Sequence, residues 1–341
     1  MSSLLSNGLP TSQPAGWNSG AILEVSDLYV DYIMDRGTVR AVRDVSFAVG
    51  PGEFVGIVGE SGCGKSTLLF AIAQLLAPPA GISAGRVVFK GENLVGLTDK
   101  QLATVRWRNM SVVMQSAMNA LNPVTNIGKQ FRDAMRAHGV TSNQEIADRS
   151  AEVLKMVGID PVHLRSYPHQ LSGGMRQRSM IAMAMLFTPE LVIMDEPTSA
   201  LDVVAQRSLM VQIKELQEQL GFAVVFVTHD MSLVRHFSDR LMVMYAGQVA
   251  ELGDTRRLFD EPLHPYTVGL MDAFPSIKGP KVKLAGIPGS PPNLAKPPEG
   301  CQFAPRCPQV MDRCRTTEVP LYNLHGDSVR CLLHEAGGSQ L

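Results

Sequence analysis

A glycine-rich run early in the chain has the residue types and spacing of a phosphate-binding loop. It reads Gly59-Glu-Ser-Gly-Cys-Gly-Lys-Ser-Thr67 and fits the pattern G-x-x-x-x-G-K-[ST]. Glycines let the backbone curl so that its N–H groups face a phosphate, and a following helix adds partial positive charge. We therefore expect Lys65 to reach the β- and γ-phosphates and the Ser66 hydroxyl to contact Mg²⁺. The candidate nucleotide-binding residues of this loop are Gly59, Ser61, Gly62, Gly64, Lys65, Ser66 and Thr67.

Two adjacent acids end an apolar segment that has the composition of a buried strand. Leu191–Met194 is followed directly by Asp195 and Glu196. Buried parallel strands bring their C-terminal ends to one edge of a sheet, beside the phosphate loop. There, Asp195 suits Mg²⁺ and Glu196 suits polarising an attacking water. The same pair could cap a helix at a strand–helix turn, but Lys65 elsewhere in the chain favours the catalytic interpretation.

The elements that must position these groups alternate between strands and helices. This alternation predicts a mostly parallel α/β core. The helix-rich stretch from Ala117 to Phe187 has the character of an insertion into that core. The predicted strands are Ala41–Val49, Phe54–Val58, Arg86–Phe89, Ser111–Met114, Leu191–Met194, Phe222–Val227 and Leu241–Tyr245. The predicted helices are Ser66–Leu76, Ile127–Arg136, Asn143–Val157, Gly174–Phe187 and Val203–Leu220.

Composition excludes several classes of protein. Lys and Arg number 31 against 32 Asp and Glu, so the net charge is −1 and a general basic field for nucleic acid is absent. Apolar residues make up 45% of the chain, enough for a core, yet no stretch approaches the roughly 20 apolar residues of a membrane span. Residues 1–20 lack the basic and apolar segments of a signal peptide and predict a disordered leader. We therefore expect a cytoplasmic protein that reaches a membrane only through partners.

A second motif separates the classes of nucleotidase, since kinases, GTPases and helicases also use phosphate loops. It reads Leu171-Ser-Gly-Gly-Met-Arg-Gln-Arg178 and resembles the LSGGQ signature of ATP-binding cassette (ABC) ATPases, with Met175 in place of the usual glutamine. The resemblance implies that Ser172, Gly173 and Gly174 grip the γ-phosphate held by the loop of a partner subunit. Each ATP would then be sandwiched between two cassettes.

The remaining elements of the ABC pattern follow in order along the chain. Gln115 resembles the Q-loop glutamine, which joins Mg²⁺ and senses the transmembrane partner, and His229 resembles the switch histidine that contacts the γ-phosphate. Ser199-Ala-Leu-Asp202 resembles the D-loop and implies a role at the nucleotide for Asp202. Tyr32 lies where the family places an aromatic that stacks on adenine, with an ordinary hairpin tyrosine as the alternative. The helical segment after Gln115 is too short for the coiled coils of DNA-repair ATPases and fits the ABC helical subdomain.

Several segments resemble the ATPases of dipeptide and oligopeptide (Dpp/Opp-type) importers. These segments are Gly59-Glu-Ser-Gly62, Met118–Pro123, His264-Pro-Tyr-Thr267, Gly286–Pro292 and the C-terminal cysteines. The resemblance implies a second, different cassette, two permease subunits that Ser116–Gly128 would face, and an extracytoplasmic binding protein. Peptide is the implied cargo, with nickel chelates or oligosaccharides as alternatives; an ABC ATPase acting on nucleic acid would need basic arms. His264-Pro-Tyr-Thr267 could be a plain turn and is not expected to be catalytic.

Four of the five cysteines lie near the C-terminus, at Cys301, Cys307, Cys314 and Cys331. In a cytosolic chain such a cluster favours metal over disulfides, and four thiolates can close a tetrahedral site or hold a cubane. The spacing lacks both the C-x2-C pairs of zinc ribbons and the ferredoxin runs. Resemblance to the Dpp/Opp C-terminal segment implies a [4Fe–4S] cluster, with structural zinc second and four free thiols as the simplest alternative.

The predicted fold is an ABC ATPase cassette: a RecA-like parallel-sheet core, an antiparallel β part and an inserted helical subdomain. We expect the leader at 1–20, the nucleotide-binding domain at 21–260 with its helical subdomain at about 116–187, and a regulatory or dimerisation extension at 261–341. Within that extension, Pro262–Pro298 is rich in proline and predicts a linker or an irregular extended segment.

The predicted function is ATP hydrolysis that powers a peptide importer, on the cytoplasmic face of the cell membrane. ATP binding would close two cassettes and hydrolysis would let them separate. The expected catalytic residues are Lys65, Gln115, Glu196 and His229, and the expected Mg²⁺ ligands are Ser66, Gln115 and Asp195.

Overall fold

The structure is a computed structural model that describes residues 20–35, 37–115, 120–199, 201–273 and 286–340. The predicted leader at 1–20 therefore lies outside the described residues, except for Gly20. Two segments with an expected role at an interface also lie partly outside the described residues, at Met118, Asn119 and Ala200.

The strands of the described residues form two sheets. In chain order the strands are β1 (Leu23–Met34), β2 (Gly37–Val49), β3 (Phe54–Val58), β4 (Ala80–Phe89), β5 (Glu92–Asn93), β6 (Met110–Val113), β7 (Leu191–Asp195), β8 (Ala223–Val227), β9 (Arg240–Tyr245), β10 (Gln248–Asp254), β11 (Tyr322–Leu324), β12 (Asp327–Val329) and β13 (Ser339–Gln340). The smaller sheet is antiparallel, in the order β2-β1-β4-β5. The larger sheet has the order β13-β11-β12-β10-β9-β3-β8-β7-β6 and is parallel from β9 to β6.

Helices pack around these sheets. They are α1 (Lys65–Ile72), α2 (Asp99–Val105), α3 (Ile127–Ala137), α4 (Asn143–Met156), α5 (Gly173–Ala184), α6 (Val203–Leu220), α7 (Met231–Phe237), α8 (Thr255–Asp260) and α9 (Pro265–Asp272). Within the part of the chain that the structure describes, none of them combines the length and the apolar character needed to cross a membrane. The alternation of strands and helices confirms the predicted α/β cassette core, and β3 and α6 have the predicted bounds.

The register of the parallel strands sets the geometry of the functional edge. All residues of β3, β7 and β8 are buried, as expected for strands covered on both faces. Val227, at the end of β8, pairs with Ile57 on one side and with Asp195 on the other. Val113 of β6 pairs with Met194. The chain segments that leave these strands therefore all start from one edge of the sheet.

The helices between β6 and β7 are amphipathic and individually capped. Ile127, Phe131 and Met135, spaced four residues apart along α3, are all buried. The side chain of Asn126 accepts a hydrogen bond from the Lys129 N–H at the start of α3, and comparable caps begin α4 and α5. This segment is the helical insertion that the sequence predicts.

The prediction of a linker over Pro262–Pro298 is wrong for its first part. Residues 265–272 form α9, and the side chain of Tyr266 in this helix is fully buried. Pro265 stands in the first turn of the helix, where a missing N–H costs nothing, so a count of prolines misleads there. His264 caps the helix, because its Nδ1 accepts the Tyr266 N–H at 2.9 Å. Residues 274–285 lie outside the described residues, and 286–298 form neither helix nor strand.

The last part of the chain packs onto the cassette. Strand β12 pairs with β10, with Val329 opposite Glu251, so the C-terminal strands extend the larger sheet. These strands were not predicted, because three-residue strands carry too little periodicity to be read from sequence. Their pairing places residues near the C-terminus within reach of the functional edge.

Candidate functional site

The phosphate loop joins β3 to α1 and lies tightly against neighbouring strands. Gly62 and Gly64 have φ values of +76° and +101°, in the left-handed region. A Cβ on Gly64 would stand 2.3 Å from the carbonyl oxygen of Ala41 in β2, and one on Gly59 would stand 2.2 Å from that of Met244 in β9. Only glycine allows these approaches, so the loop conformation is fixed by both its own glycines and the strands around it.

Lys65 begins α1 and is turned into the loop. It is only 9% exposed, and its Nζ donates to the carbonyl oxygens of Gly59 at 2.8 Å and Glu60 at 3.0 Å. Both acceptors are neutral, so they orient the ammonium without cancelling its charge. The Cys63 thiol lies 3.8 Å from the Lys65 Nζ, and burial raises the pKa of this thiol, which keeps it protonated and neutral. The hydrogen-bond partners of Lys65 Nζ in the loop are thus neutral groups, which an anion can replace.

Ser66 and Asp195 bring a hydroxyl and a carboxylate together beside the loop. The Ser66 hydroxyl donates to Asp195 Oδ1 at 3.1 Å, and Asp195 is 3% exposed. Burial raises the pKa of the Asp195 carboxyl, against the effect of the Ser66 hydrogen bond and the Lys65 charge. Hard oxygen donors of this kind suit Mg²⁺, whose charge would in turn favour the ionised carboxylate.

Glu196 meets Gln115 and His229 at the ends of three neighbouring strands. Because Val113 and Met194 are paired, the residues two positions later come out side by side, and Gln115 Nε2 donates to Glu196 Oε2 at 2.8 Å. His229 Nδ1 lies 3.5 Å from Glu196 Oε1, and the His229 side chain is 67% exposed. The Glu196 carboxylate is oriented from two sides and keeps 21% of its side chain exposed, an arrangement that can position a water molecule.

Glu196 itself has an unusual backbone conformation. Its φ is +46°, and its N–H donates to the carbonyl oxygen of Val227 at 2.9 Å. The left-handed turn bends the chain sharply after β7, so that Asp195 and Glu196 point to different partners. Left-handed non-glycine residues concentrate at functional sites, where the surrounding structure must hold them.

Tyr32 also reaches the phosphate-loop helix. It lies on β1, and its hydroxyl makes a 3.1 Å hydrogen bond with Thr67 Oγ1 in the first turn of α1. The hydrogen bond places the tyrosine beside the loop, which is consistent with the expected neighbourhood. Stacking on adenine stays a prediction.

The signature residues stand apart from the phosphate loop of their own chain. Ser172 caps α5, its hydroxyl accepting the Met175 N–H at 3.3 Å, and a Cβ on Gly174 would meet no atom within 4 Å. Asp202 likewise caps α6, accepting the Ala205 N–H at 2.9 Å. Among the residues that the structure describes, no hydrogen bond joins either helix start to the phosphate loop. The exposed start of α5 is therefore open to a second molecule.

The helix that begins at Ser172 is linked to the segment after Glu196 by a contact that the sequence motifs do not reveal. Gln177 is buried in α5, and its Nε2 donates to the carbonyl oxygen of Pro197, the residue after Glu196. In the sequence, the one signal of this contact is a glutamine within a motif of glycines and arginines. A movement of α5 would therefore displace the backbone next to Glu196.

The four C-terminal cysteines line one small cavity together with Phe303 and His264. The Cys301 N–H donates to the Cys314 carbonyl oxygen at 2.8 Å. Burial raises the pKa of the Cys301 and Cys307 thiols, and raises that of Cys331 to about 11. Within the described ranges, however, no group of three or more His, Cys, Asp or Glu side chains is placed so that it could hold a metal ion. The cysteines converge as the sequence suggested, but the predicted cluster has no support from their placement.

Comparison with known proteins gives two family matches and close relatives. A family described as "ABC transporter" matches residues 42–199, and one described as "Oligopeptide/dipeptide transporter, C-terminal region" matches residues 250–314. The chain is 40% identical to the dipeptide transport ATP-binding protein DppD of Caldanaerobacter subterraneus subsp. tengcongensis, over 93% of this chain and 98% of the relative. It is also 40% identical to the oligopeptide transport ATP-binding protein OppD of Salmonella typhimurium, over 89% and 91% respectively.

Solved structures resemble the cassette part of the chain. A dimeric bacterial ABC transporter cassette, MJ0796, superposes with a TM-score of 0.62 at 30% identity, covering 69% of this chain and 99% of that structure. The same cassette in a dimeric post-hydrolysis state bound to ADP and Pi gives a TM-score of 0.61 at 31% identity, with the same coverage.

Replacing Gly64 by alanine should abolish tight nucleotide binding. The new Cβ would collide with the Ala41 carbonyl oxygen at 2.3 Å, at a φ of +101°, and a strained residue of this kind costs about 1–3 kcal/mol before the collision is counted. We expect the Kd for MgATP, measured by calorimetry on the full chain, to rise by at least about 10-fold.

The control is Gly91→Ala, on the turn between β4 and β5. Gly91 has a similar φ of +84°, but a Cβ there would meet no atom within 4 Å. It should lower the melting temperature without changing the Kd. Equal loss of binding in both variants, or normal binding by Gly64→Ala, would show that close packing of the loop is not what shapes the site.

Proposed function

The chain belongs to the ATP-binding subunits of dipeptide and oligopeptide ABC transporters, and from this we propose that it hydrolyses ATP, at the residues described above, to drive peptide import. It is the ATPase subunit of a peptide importer. The observation that carries the assignment of its site is the meeting of four strand ends. These bring the loop lysine, the Ser66–Asp195 pair and the Gln115–Glu196–His229 group to one edge of the sheet.

The phosphate side of the site binds and orients the triphosphate. Lys65 can exchange its neutral carbonyl partners for phosphate oxygens, and loop N–H groups with the α1 N-terminus add donors. Ser66 and Asp195 would hold Mg²⁺, which when bound neutralises charge on the β- and γ-phosphates. Gln115 is the third candidate ligand, and in the present arrangement its amide donates to Glu196. Tyr32 would lie on the adenine side.

Hydrolysis would proceed by in-line attack of water on the γ-phosphate. Glu196 orients the water and draws its proton, and His229 and Lys65 stabilise the charge that spreads over the γ-phosphate oxygens. Gln115 is hydrogen-bonded to Glu196, so a movement of segment 116–128, which follows it, would change the position of the Glu196 carboxylate. The site is assembled from strand ends, so small displacements there change the alignment of water and phosphate.

A second cassette would complete each ATP site. Ser172, Gly173 and Gly174 start α5 with unused N–H groups, which form an anion-binding helix terminus. They contact no phosphate loop in their own chain, so the ATP they serve must be on a partner, and Asp202 lies at the adjacent helix start. ABC cassettes form dimers, as MJ0796 does. We propose that the partner here is a different cassette.

The two cassettes would lie on the cytoplasmic face of the membrane beneath two permease subunits, with a binding protein on the other side. The segment 116–128, partly outside the described residues, is the proposed contact with a permease. Peptide as the cargo is supported by relatives whose names specify dipeptide or oligopeptide transport. Their names do not favour nickel chelates, oligosaccharides or nucleic acid.

Changing Glu196 to glutamine should separate binding from hydrolysis. The amide keeps the size of the side chain but cannot take a proton from water, so steady-state phosphate release by the assembled importer should fall at least about 100-fold. The Kd for MgATP should change by less than about threefold, since no binding contact is lost.

The matched control is Glu190→Gln, at the opposite end of β7, where Glu190 pairs with Lys90 at 2.6 Å. It should leave turnover near that of the unmodified protein. Near-normal phosphate release by Glu196→Gln would show that another group positions the water.

For the four cysteines we propose a shared metal group, a [4Fe–4S] cluster first and zinc second. The support is their convergence on one cavity and the preference of soft metals for thiolates. Against it stand their raised pKa values and the side-chain placement reported above, so we assign the group no step in hydrolysis. Cys301, Cys307, Cys314 and Cys331 would be its ligands.

Metal analysis of anaerobically purified protein tests this proposal. A cluster predicts iron and acid-labile sulfide in equal amounts, with loss of both in Cys307→Ser and retention in Cys63→Ser. Zinc at one per chain without iron would replace the cluster by a zinc site. Absence of both metals, with all thiols titratable under native conditions, would leave four free cysteines.

A further inference from the structure

The C-terminal part of the chain makes direct contact with the phosphate loop. Arg306 forms a bidentate ion pair with Glu60, the second residue of the loop: Nη1 lies 2.7 Å from Oε2 and Nη2 lies 2.9 Å from Oε1. The Arg306 side chain is only 5% exposed, against 25% for Glu60. Bidentate guanidinium–carboxylate pairs combine strength with fixed geometry. The two residues are 246 positions apart in the chain.

A second contact holds the backbone of the same residue. The Glu60 N–H donates to the hydroxyl of Tyr266 at 3.0 Å, from the His264-Pro-Tyr-Thr267 segment. Tyr266 is fully buried and packs against two other rings, with centroid distances of 4.5 Å to Tyr245 and 5.4 Å to Phe303. Phe303 comes from the segment that carries Arg306. The aromatic cluster therefore fixes the hydroxyl that receives the loop N–H.

The third contact of this residue is the catalytic lysine. The Glu60 carbonyl oxygen accepts from Lys65 Nζ at 3.0 Å. Glu60 is thus held through its N–H and side chain by the C-terminal part of the chain, while its carbonyl holds the ammonium. A displacement of Glu60 would move the carbonyl oxygen that orients Lys65 Nζ toward a phosphate.

Arg306 is itself held firmly. Its Nε donates to the Pro288 carbonyl oxygen at 2.8 Å, and its guanidinium also reaches the Ile287 carbonyl oxygen at 3.2 Å and the Tyr245 hydroxyl at 3.3 Å. It is the last residue of a short 3-10 turn, Ala304–Arg306, that lies between Cys301 and Cys307. The buried Arg306 guanidinium pairs with one carboxylate, that of Glu60, and can hold it in a fixed position.

We propose that Arg306 is a positioning residue of the ATP site. It neutralises the Glu60 carboxylate, which would otherwise stand unpaired in the loop that binds a triphosphate, and with Tyr266 it fixes the loop conformation. The inference rests on the proposed function, because it assumes that MgATP binds at this loop. It adds that the C-terminal part of the chain is a component of that site.

A residue that only stabilises the fold would behave differently from a positioning residue. Its loss lowers stability and leaves the affinity of the folded protein for MgATP intact. Loss of Arg306 leaves an uncompensated negative charge near the phosphates, so neutralising Glu60 as well should recover affinity even if stability is not restored. The electrostatic consequence is therefore separable from the packing consequence.

The experiment measures the Kd for MgATP by calorimetry, and the melting temperature, on the full chain. Arg306→Met should raise the Kd by about 10-fold, the size expected when a hydrogen-bonded charge loses its partner. Arg306→Lys, which keeps the charge but not the fork, should give a smaller rise. The double variant Glu60→Gln with Arg306→Met should return the Kd to within about threefold of the unmodified protein.

Arg330→Met is the matched control from the same part of the chain. Arg330 is as buried as Arg306 and bonds to the carbonyl oxygens of Val249 and Val319 and to Asp44, none of them in the loop. It should lower the melting temperature with an unchanged Kd.

The outcomes distinguish the two levels of the proposal. If the unmodified chain does not bind MgATP, the proposed function fails and this inference fails with it. If the unmodified chain binds but Arg306→Met binds equally well, only the inference fails. It also fails if Arg330→Met weakens binding as much as Arg306→Met, or if the double variant shows no recovery.

Discussion

The register of the buried parallel strands is the constraint on which the site depends. Pairing of Val227 with both Ile57 and Asp195, and of Val113 with Met194, brings the phosphate loop and the three polar strand ends to one level. A slip of one residue would move every side chain of a strand to the opposite face of the sheet, into the other of two closely packed cores, so the packing of both cores enforces this alignment. The arrangement of the polar groups at this edge therefore depends on the hydrophobic packing of the strands that lead to it.

The phosphate loop is held by more than its own glycines. Gly59 and Gly64 press against the carbonyl groups of β9 and β2, and Glu60 is gripped from the C-terminal part of the chain. A site that must receive several negative charges gains from such prior rigidity, because its donors are aligned before the anion arrives. The fold supplies this rigidity from segments distant in sequence.

The proposed ATP site takes groups from two cassettes. The start of α5 offers N–H groups to an anion, while the phosphate loop of the same chain lies elsewhere. Gln177 donates a hydrogen bond from that helix to Pro197, the residue after Glu196. In the proposed dimer, this helix would therefore contact both the partner's nucleotide and the segment beside Glu196.

The sequence by itself determined the nucleotide chemistry, the α/β core and the family, because the phosphate loop, the Asp195–Glu196 pair and the signature are contiguous motifs whose geometry is largely local. It misjudged α9, where proline fits the first turn of a helix, and it gave no indication of the bonds from Arg306 and Tyr266 to Glu60. Only the tertiary structure decided those contacts and the placement of the cysteine side chains around their common cavity. Such pairings join residues far apart along the chain, and no local spacing encodes them.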